Sequence, residues 1–240
     1  MQSDFVFFGP AHLLMISLTF ALPIPVALFV RWRKSSPLDT GVKWCMAATL
    51  FFSKIATALI SWHMGQLSFA VALPMHLCDW ATIAIILALT LREKQFIFEL
   101  AYFWGLAGTL QGVLTPNILV PTSDPRFFTF FIGHCGIIFS ILYLVFSSGI
   151  TPRPGAWWKV WLLSQCYVGA AGLTDFLLNE NYGYLSRKPS TPSLLDFFGP
   201  WPWYVLEMDL FALVAFGIVY LPVVITRMAL ASASSQKRGE

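Results

Sequence analysis

The chain has 240 residues, of which 57% are apolar and only 11% charged, against roughly 45–50% and 25% in an ordinary soluble domain. That balance excludes a conventional soluble enzyme. Net charge is +3 and the basic residues are scattered between apolar runs, which excludes the clustered footprint of a nucleic-acid binder.

A spanning helix needs about 20 apolar residues, and the charge-free runs over 5–30, 100–123 and 127–152 supply three such stretches. Taken along the chain, apolar runs bounded by charges and Pro/Gly breaks predict segments near 10–30, 43–61, 74–91, 95–115, 127–148, 157–178 and 202–226. The expected fold is all-α, a polytopic seven-helix transmembrane bundle in a single domain over 1–230, followed by a short polar cytoplasmic tail at 231–240. The first segment is not preceded by a basic residue, whereas Arg31, Arg33 and Lys34 follow it. It therefore reads as a retained span with its N-terminus outside, and not as a signal peptide.

Seven crossings then leave the C-terminus inside. Arg31, Arg33, Lys34, Lys43, Arg92, Lys94, Arg153, Lys159, Arg227, Lys237 and Arg238 fall inside, and Arg126, Arg187 and Lys188 outside. Eleven against three satisfies the positive-inside rule. The hairpin at Arg92, Glu93 and Lys94 fixes the third and fourth segments as an antiparallel pair. The outer stretch 181–200, broken by Pro189, Pro192 and Pro200, is long enough to cover an outward opening.

Charged side chains inside spans cost roughly 2.5–3.5 kcal/mol each on insertion scales and mark functional interiors by default. With a rise of about 1.5 Å per residue, Cys78 falls roughly 6 Å and His134 roughly 10 Å below the outer ends of their helices. Lys54, Gln111, Asp175 and Glu207 fall at roughly 4–11 Å by the same rise. His12, His63, His76, Asp79 and Asp209 lie in or just above this layer, while the inner half holds little beyond Glu99, near enough to Lys94 to be neutralised. Mutual pairing, such as Lys54 with Asp79 or Glu207, would account for a single pair. A layer drawn from six helices points instead to a cavity open to the outer leaflet, because an apolar bundle needs no such collection.

Within that layer the strongest chemical pair is Cys78 with His134, since a thiol beside an imidazole is the minimum for an activated sulfur nucleophile. Asp79, Asp175, Glu207 or Gln111 are candidates to orient the imidazole, and the sequence does not choose among them. His76 and Asp79 share a helix face, whereas Cys78 is displaced from His76 by about 200° at 100° per residue, so His76 is the weaker partner. Cys135 points elsewhere on the helix of His134 and is expected to pack. The four cysteines, Cys45, Cys78, Cys135 and Cys166, show no CxxC spacing, so neither a zinc knuckle nor a disulfide framework is indicated. A zinc-dependent membrane hydrolase is a lesser alternative raised by the outer-side histidines, but no HxxxH pair exists and no histidine follows His134. A retinal protein is excluded because no lysine lies between Lys188 and Lys237, where a seventh-helix Schiff base belongs.

Several strings carry a family likeness: His76-Leu77-Cys78, Tyr102-Phe103-Trp104-Gly105 continuing to Gly108, Gln111 and Thr115-Pro116, and Phe131-Ile132-Gly133-His134. To these add Asn181-Tyr182-Gly183-Tyr184, Lys188-Pro189, Leu195-Asp196 and Gly199-Pro200-Trp201-Pro202-Trp203-Tyr204. Together they resemble the YwaF-type bacterial integral membrane proteins over most of the chain. That family is similar to a vertebrate membrane acyltransferase that remodels ether phospholipids through a cysteine. More distantly it is similar to the androgen-induced membrane hydrolases of fatty-acid esters of hydroxy fatty acids. The resemblance implies acyl chemistry with Cys78 as nucleophile and His134 as base, in a bacterial cytoplasmic membrane, with membrane lipids as partners and no cofactor or metal. Asn181, Tyr182, Lys188, Trp201, Trp203 and Tyr204 sit at the outer interface, as an aromatic belt or as headgroup contacts. The expected function is a lipid acyltransferase or lipid-ester hydrolase. The alternative is a transporter or lipid-binding protein that uses Lys54, Asp79, Asp175 and Glu207 for substrate or proton coupling.

Overall fold

The computed structural model describes residues 5–91, 95–118 and 120–236. Its helices are α1 (Pro10–Ala21), α2 (Pro23–Arg33), α3 (Ser36–His63), α4 (Phe69–Ala72), α5 (Leu77–Thr90), α6 (Gln95–Phe103), α7 (Leu110–Leu114), α8 (Pro125–Ser148), α9 (Ala156–Leu178) and α10 (Trp203–Gln236), with a π-helical turn over Trp104–Thr109 joining α6 to α7. Grouped end to end, these form seven long helical segments among the described residues, as the apolar runs predict. Six are long and apolar enough to cross a membrane. The seventh, α9, carries Lys159, Ser164, Gln165, Thr174 and Asp175 and is less apolar.

Local chemistry explains where the boundaries depart from the apolar runs. Helix α3 starts seven residues before its predicted start at 43 because Ser35 caps it, accepting from the Leu38 amide at 3.4 Å, and a cap sets a helix end more firmly than a charge does. Asp39 and Lys43 then pair one turn apart at 2.6 Å. The first span bends at Leu22, where Pro23 and Pro25 remove amide donors. The third is broken outright: Leu73 is extended before Pro74, and a new helix begins at Leu77 with His76 as its N-cap. Cys78 therefore lies in a first helical turn and not part-way down a continuous helix. The predicted tail at 231–240 begins as helix, since α10 continues to Gln236. Residues 237–240 and the hairpin at Arg92, Glu93 and Lys94 lie outside the described residues.

Helix α8 runs through the middle of the bundle against α2, α3 and α5, burying Phe127, Phe131, Ile137, Ile138, Ile141 and Leu144. Its fit against the π turn requires Gly105, where a Cβ would collide with Ile141 Cδ1. One end of the bundle is tied by Glu99, which accepts from Arg153 Nε and Nη2, both at 2.8 Å. That bidentate geometry is the strong form of a guanidinium–carboxylate contact. At the other end, residues 179–202 form a strap that folds back over the helix ends.

Candidate functional site

A cavity of about 300 Å³ opens beneath the strap. Its polar lining includes His76, Cys78, Gln111, Asn117, His134 and Tyr184, and α9 and α10 add Trp161, Val168, Met208, Ala212 and Phe216 together with the polar Ser164 and Asp209. Gly183, Tyr184, Leu185, Pro189, Leu194 and Phe198 of the strap also line it, so the proline-broken stretch does cover an opening.

His134 is held in a defined tautomer. Its Nδ1 lies 2.8 Å from the Phe130 carbonyl one turn earlier in α8. A carbonyl only accepts, so Nδ1 carries the proton and Nε2 of the neutral ring is an acceptor. Nε2 has no hydrogen-bond partner among the described residues. The ring stacks on Phe130 with centroids 4.0 Å apart, and its other side faces Gly112, where a Cβ would come within 2.7 Å of Cδ2. The backbone carbonyl, and none of Asp79, Asp175, Glu207 or Gln111, is the group that hydrogen-bonds the imidazole.

Cys78 is the second residue of α5. The first four amides of a helix lack intrahelical partners and carry partial positive charge. Here Asp79 and Trp80 donate to the His76 carbonyl at 2.9 and 3.3 Å, and the Leu77 and Cys78 amides have no main-chain carbonyl partner among the described residues. The Asp79 carboxylate accepts from the His76 amide at 3.0 Å and pairs with Lys54. This pairing of Lys54 with Asp79 fastens α3 to the start of α5 and fixes the turn that presents Cys78. Of the other cysteines, Cys45 and Cys166 are exposed on the helix surface, while Cys135 lines a separate groove beside Met15, Thr19 and Met46.

The remaining polar residues of the predicted layer serve other contacts. His12 is buried, with Nδ1 accepting from the Phe8 amide at 3.0 Å and Nε2 donating to the Val113 carbonyl at 2.7 Å. Asp175 accepts from the Tyr182 amide at 2.6 Å and the Ser186 hydroxyl at 3.4 Å, and Glu207 from the Gly199 amide at 2.7 Å. Both carboxylates thus anchor the strap. Asn181 closes a turn through the Ser186 and Arg187 amides, and Tyr182 is buried with its ring against His76 and its hydroxyl donating to the Phe69 carbonyl. Lys54, Asp79, Asp175, Asn181, Tyr182 and Glu207 do not line the cavity. Lys188 donates to the Phe198 carbonyl at 2.7 Å and Trp201 to the Leu185 carbonyl at 3.2 Å, so these interface residues also secure the strap. No three His, Cys, Asp or Glu side chains among the described residues are grouped to hold a metal ion.

Sequence reasoning missed Tyr167, Ser164 and Tyr184. Tyr184 Oη accepts from Asn117 Nδ2 at 3.2 Å, Ser164 accepts from Trp104 Nε1 at 2.8 Å, and Tyr167 is buried on α9 against Trp80. Only Tyr184 fell inside a recognised string.

Helices long and apolar enough for a bilayer, with a cavity roofed by a strap at one end of the bundle, define a polytopic integral membrane protein with an internal cavity. Residues 7–220 match the TMEM164 family model, and the chain belongs to that family. No curated protein and no solved structure gives a significant match.

Proposed function

We propose that this protein transfers or hydrolyses a lipid acyl group through an acyl-thioester on Cys78, with His134 as the base. The observation that carries the reading is the shared cavity. It is lined by a thiol in the first turn of a helix, by an imidazole whose Nε2 is free to accept, and by a mostly apolar remainder suited to a hydrocarbon chain. The likeness of its strings to those of a cysteine-dependent ether-phospholipid acyltransferase supports the same choice of residues.

In this reading the Cys78 thiol proton passes to His134 Nε2 as sulfur attacks the acyl carbonyl carbon. The tetrahedral adduct collapses with cleavage of the ester C–O bond, and the leaving alcohol takes the proton from His134. In the second half an acceptor hydroxyl, from water or a lysolipid, gives its proton to Nε2 and attacks the thioester. The thiol is then restored by the proton held on His134. On this reading Gln111 and His76, which line the same cavity, contact the lipid headgroup.

On this reading the excess of basic residues favours a strap end outside and a C-terminus inside, and the family likeness favours a bacterial cytoplasmic membrane. Reconstituted protein supplied with a phospholipid labelled in one acyl chain tests the activity. Release or transfer of label should fall to background in Cys78→Ser and His134→Ala, and undiminished turnover in Cys78→Ser would remove the proposal.

A further inference from the structure

Tyr167 lines the cavity and has no role in the steps above. It is 4% exposed, and its hydroxyl is buried without a hydrogen-bond partner among the described residues. Buried hydroxyls in native proteins are overwhelmingly paired, so an unpaired one beside a binding chamber calls for a ligand. The ring is fixed edge-on against Trp80 of α5, centroids 5.3 Å apart at 71°. The hydroxyl rests on Gly183 of the strap, where φ is +62° and a Cβ would stand 2.7 Å from the oxygen. It shares the cavity with Leu77 and Cys78 at the start of α5.

Donors of two kinds therefore border the cavity with Cys78: the Leu77 and Cys78 amides at the positive end of α5, which have no main-chain carbonyl partner among the described residues, and the Tyr167 hydroxyl from α9. Leu77, Cys78, Tyr167 and Gly183 all line the same cavity. Attack on an ester carbonyl places a negative charge on its oxygen, and fixed donors in a water-poor site stabilise that charge more than they stabilise the neutral carbonyl.

We propose that the Tyr167 hydroxyl, together with the Leu77 and Cys78 amides, forms the oxyanion site for the tetrahedral adduct at Cys78, which makes Tyr167 a catalytic residue. This rests on the reading of Cys78 as an acyl-accepting nucleophile. Its covalent balance is unchanged: the hydroxyl donates a hydrogen bond to the oxyanion and keeps its proton. Gly183 leaves room for the phenol, and the strap closes the site from water.

The test compares two reactions of the same sulfur in Tyr167→Phe, which retains the ring and its contact with Trp80. Acylation of Cys78 by 4-nitrophenyl octanoate proceeds through an oxyanion, whereas alkylation by iodoacetamide does not. Tyr167→Phe should slow acylation by roughly 10²-fold while leaving the alkylation rate and the melting temperature near those of the parent protein. Equal slowing of both reactions, or acylation at the parent rate, would overturn the oxyanion role while leaving Cys78 as nucleophile. If the parent protein itself shows no acylation dependent on Cys78, both readings fall together, and the Cys78→Ser control separates that result from the others.

Discussion

Gly112 and His134 meet so closely that a Cβ on the glycine would stand 2.7 Å from Cδ2 of the ring. The imidazole is clamped between that bare backbone and Phe130, with its proton committed to the Phe130 carbonyl. Its orientation is thus set by packing and a main-chain acceptor, and no carboxylate is required.

Gly112→Ala should displace the ring without removing any chemical group. A misplacement near 1 Å can cost about 10²-fold in rate, so acyl transfer should fall by roughly 10-fold or more. Overpacking should also destabilise the protein by about 1–3 kcal/mol. Turnover and thermal melting measured on the same preparation check this, and parent-like turnover would show that His134 need not sit where it does.

The Lys54–Asp79 pair predicts a different pattern. Asp79 also accepts the His76 amide, so Asp79→Ala removes an ion pair and a cap contact together. Loss of a cap costs about 1 kcal/mol, and the substitution also leaves Lys54 without its ion-pair partner. A modest fall in melting temperature should accompany partial loss of turnover, and Cys78→Ser should be far more damaging to turnover than Asp79→Asn. A coupling role for the charges requires the reverse order, with Asp79→Asn abolishing function and Cys78→Ser leaving it intact.

Much of this arrangement is legible in the sequence, for identifiable reasons. Apolar runs of membrane length announce the seven helical segments, and Cys78 and His134 stand out because polar groups in such runs are costly. Depth along straight helices groups Asp175 and Glu207 with them, but the strap folds back to give Asp175 the Tyr182 amide and Glu207 the Gly199 amide, a tertiary return that helical rise does not disclose. The break before α5 follows from Pro74 and from the extended conformation at Leu73, a restriction on residues preceding proline that hydropathy alone conceals. The π turn at Trp104–Thr109 leaves no periodic signature in so short and apolar a stretch. Tyr167 does not stand out because a single tyrosine in a Trp-rich helix carries no spacing, and only the tertiary fold brings it to the cavity that Cys78 also lines. Glu99 was matched to its neighbour in sequence, Lys94, whereas its observed partner, Arg153, comes from a loop 54 residues away.

Helix α8 offers a pH-dependent readout at the strap end. Asp124 caps it, and the side-chain hydrogen bonds from Arg126 hold the Asp124 carboxyl below the usual carboxylate range. A lowered folded-state pKa means the contribution is present above the unfolded value, about 3.9, and is lost as pH falls through the folded value. Hydrogen exchange at the first amides of α8 should quicken on acidification through that window. In Asp124→Asn the exchange should already be faster at neutral pH and should lack that acid step. An identical acid step in the variant would assign it to another group.

The orientation of the bundle is checked at Ser234, exposed near the end of α10. A cysteine introduced there, with Cys45 and Cys166 replaced by serine to remove exposed background thiols, should resist a membrane-impermeant maleimide in intact cells and react after permeabilisation. Labelling in intact cells would place the C-terminus outside and turn the strap toward the cytoplasm.

Intact-protein mass spectrometry after brief mixing with an acyl-bearing phospholipid tests the central claim most directly. The account predicts a mass increase equal to one acyl group, mapped to Cys78, released by neutral hydroxylamine as a thioester should be, and absent in both Cys78→Ser and His134→Ala. Acyl-chain turnover that persists in Cys78→Ser, or an adduct spread equally over Cys45, Cys78, Cys135 and Cys166, would contradict it.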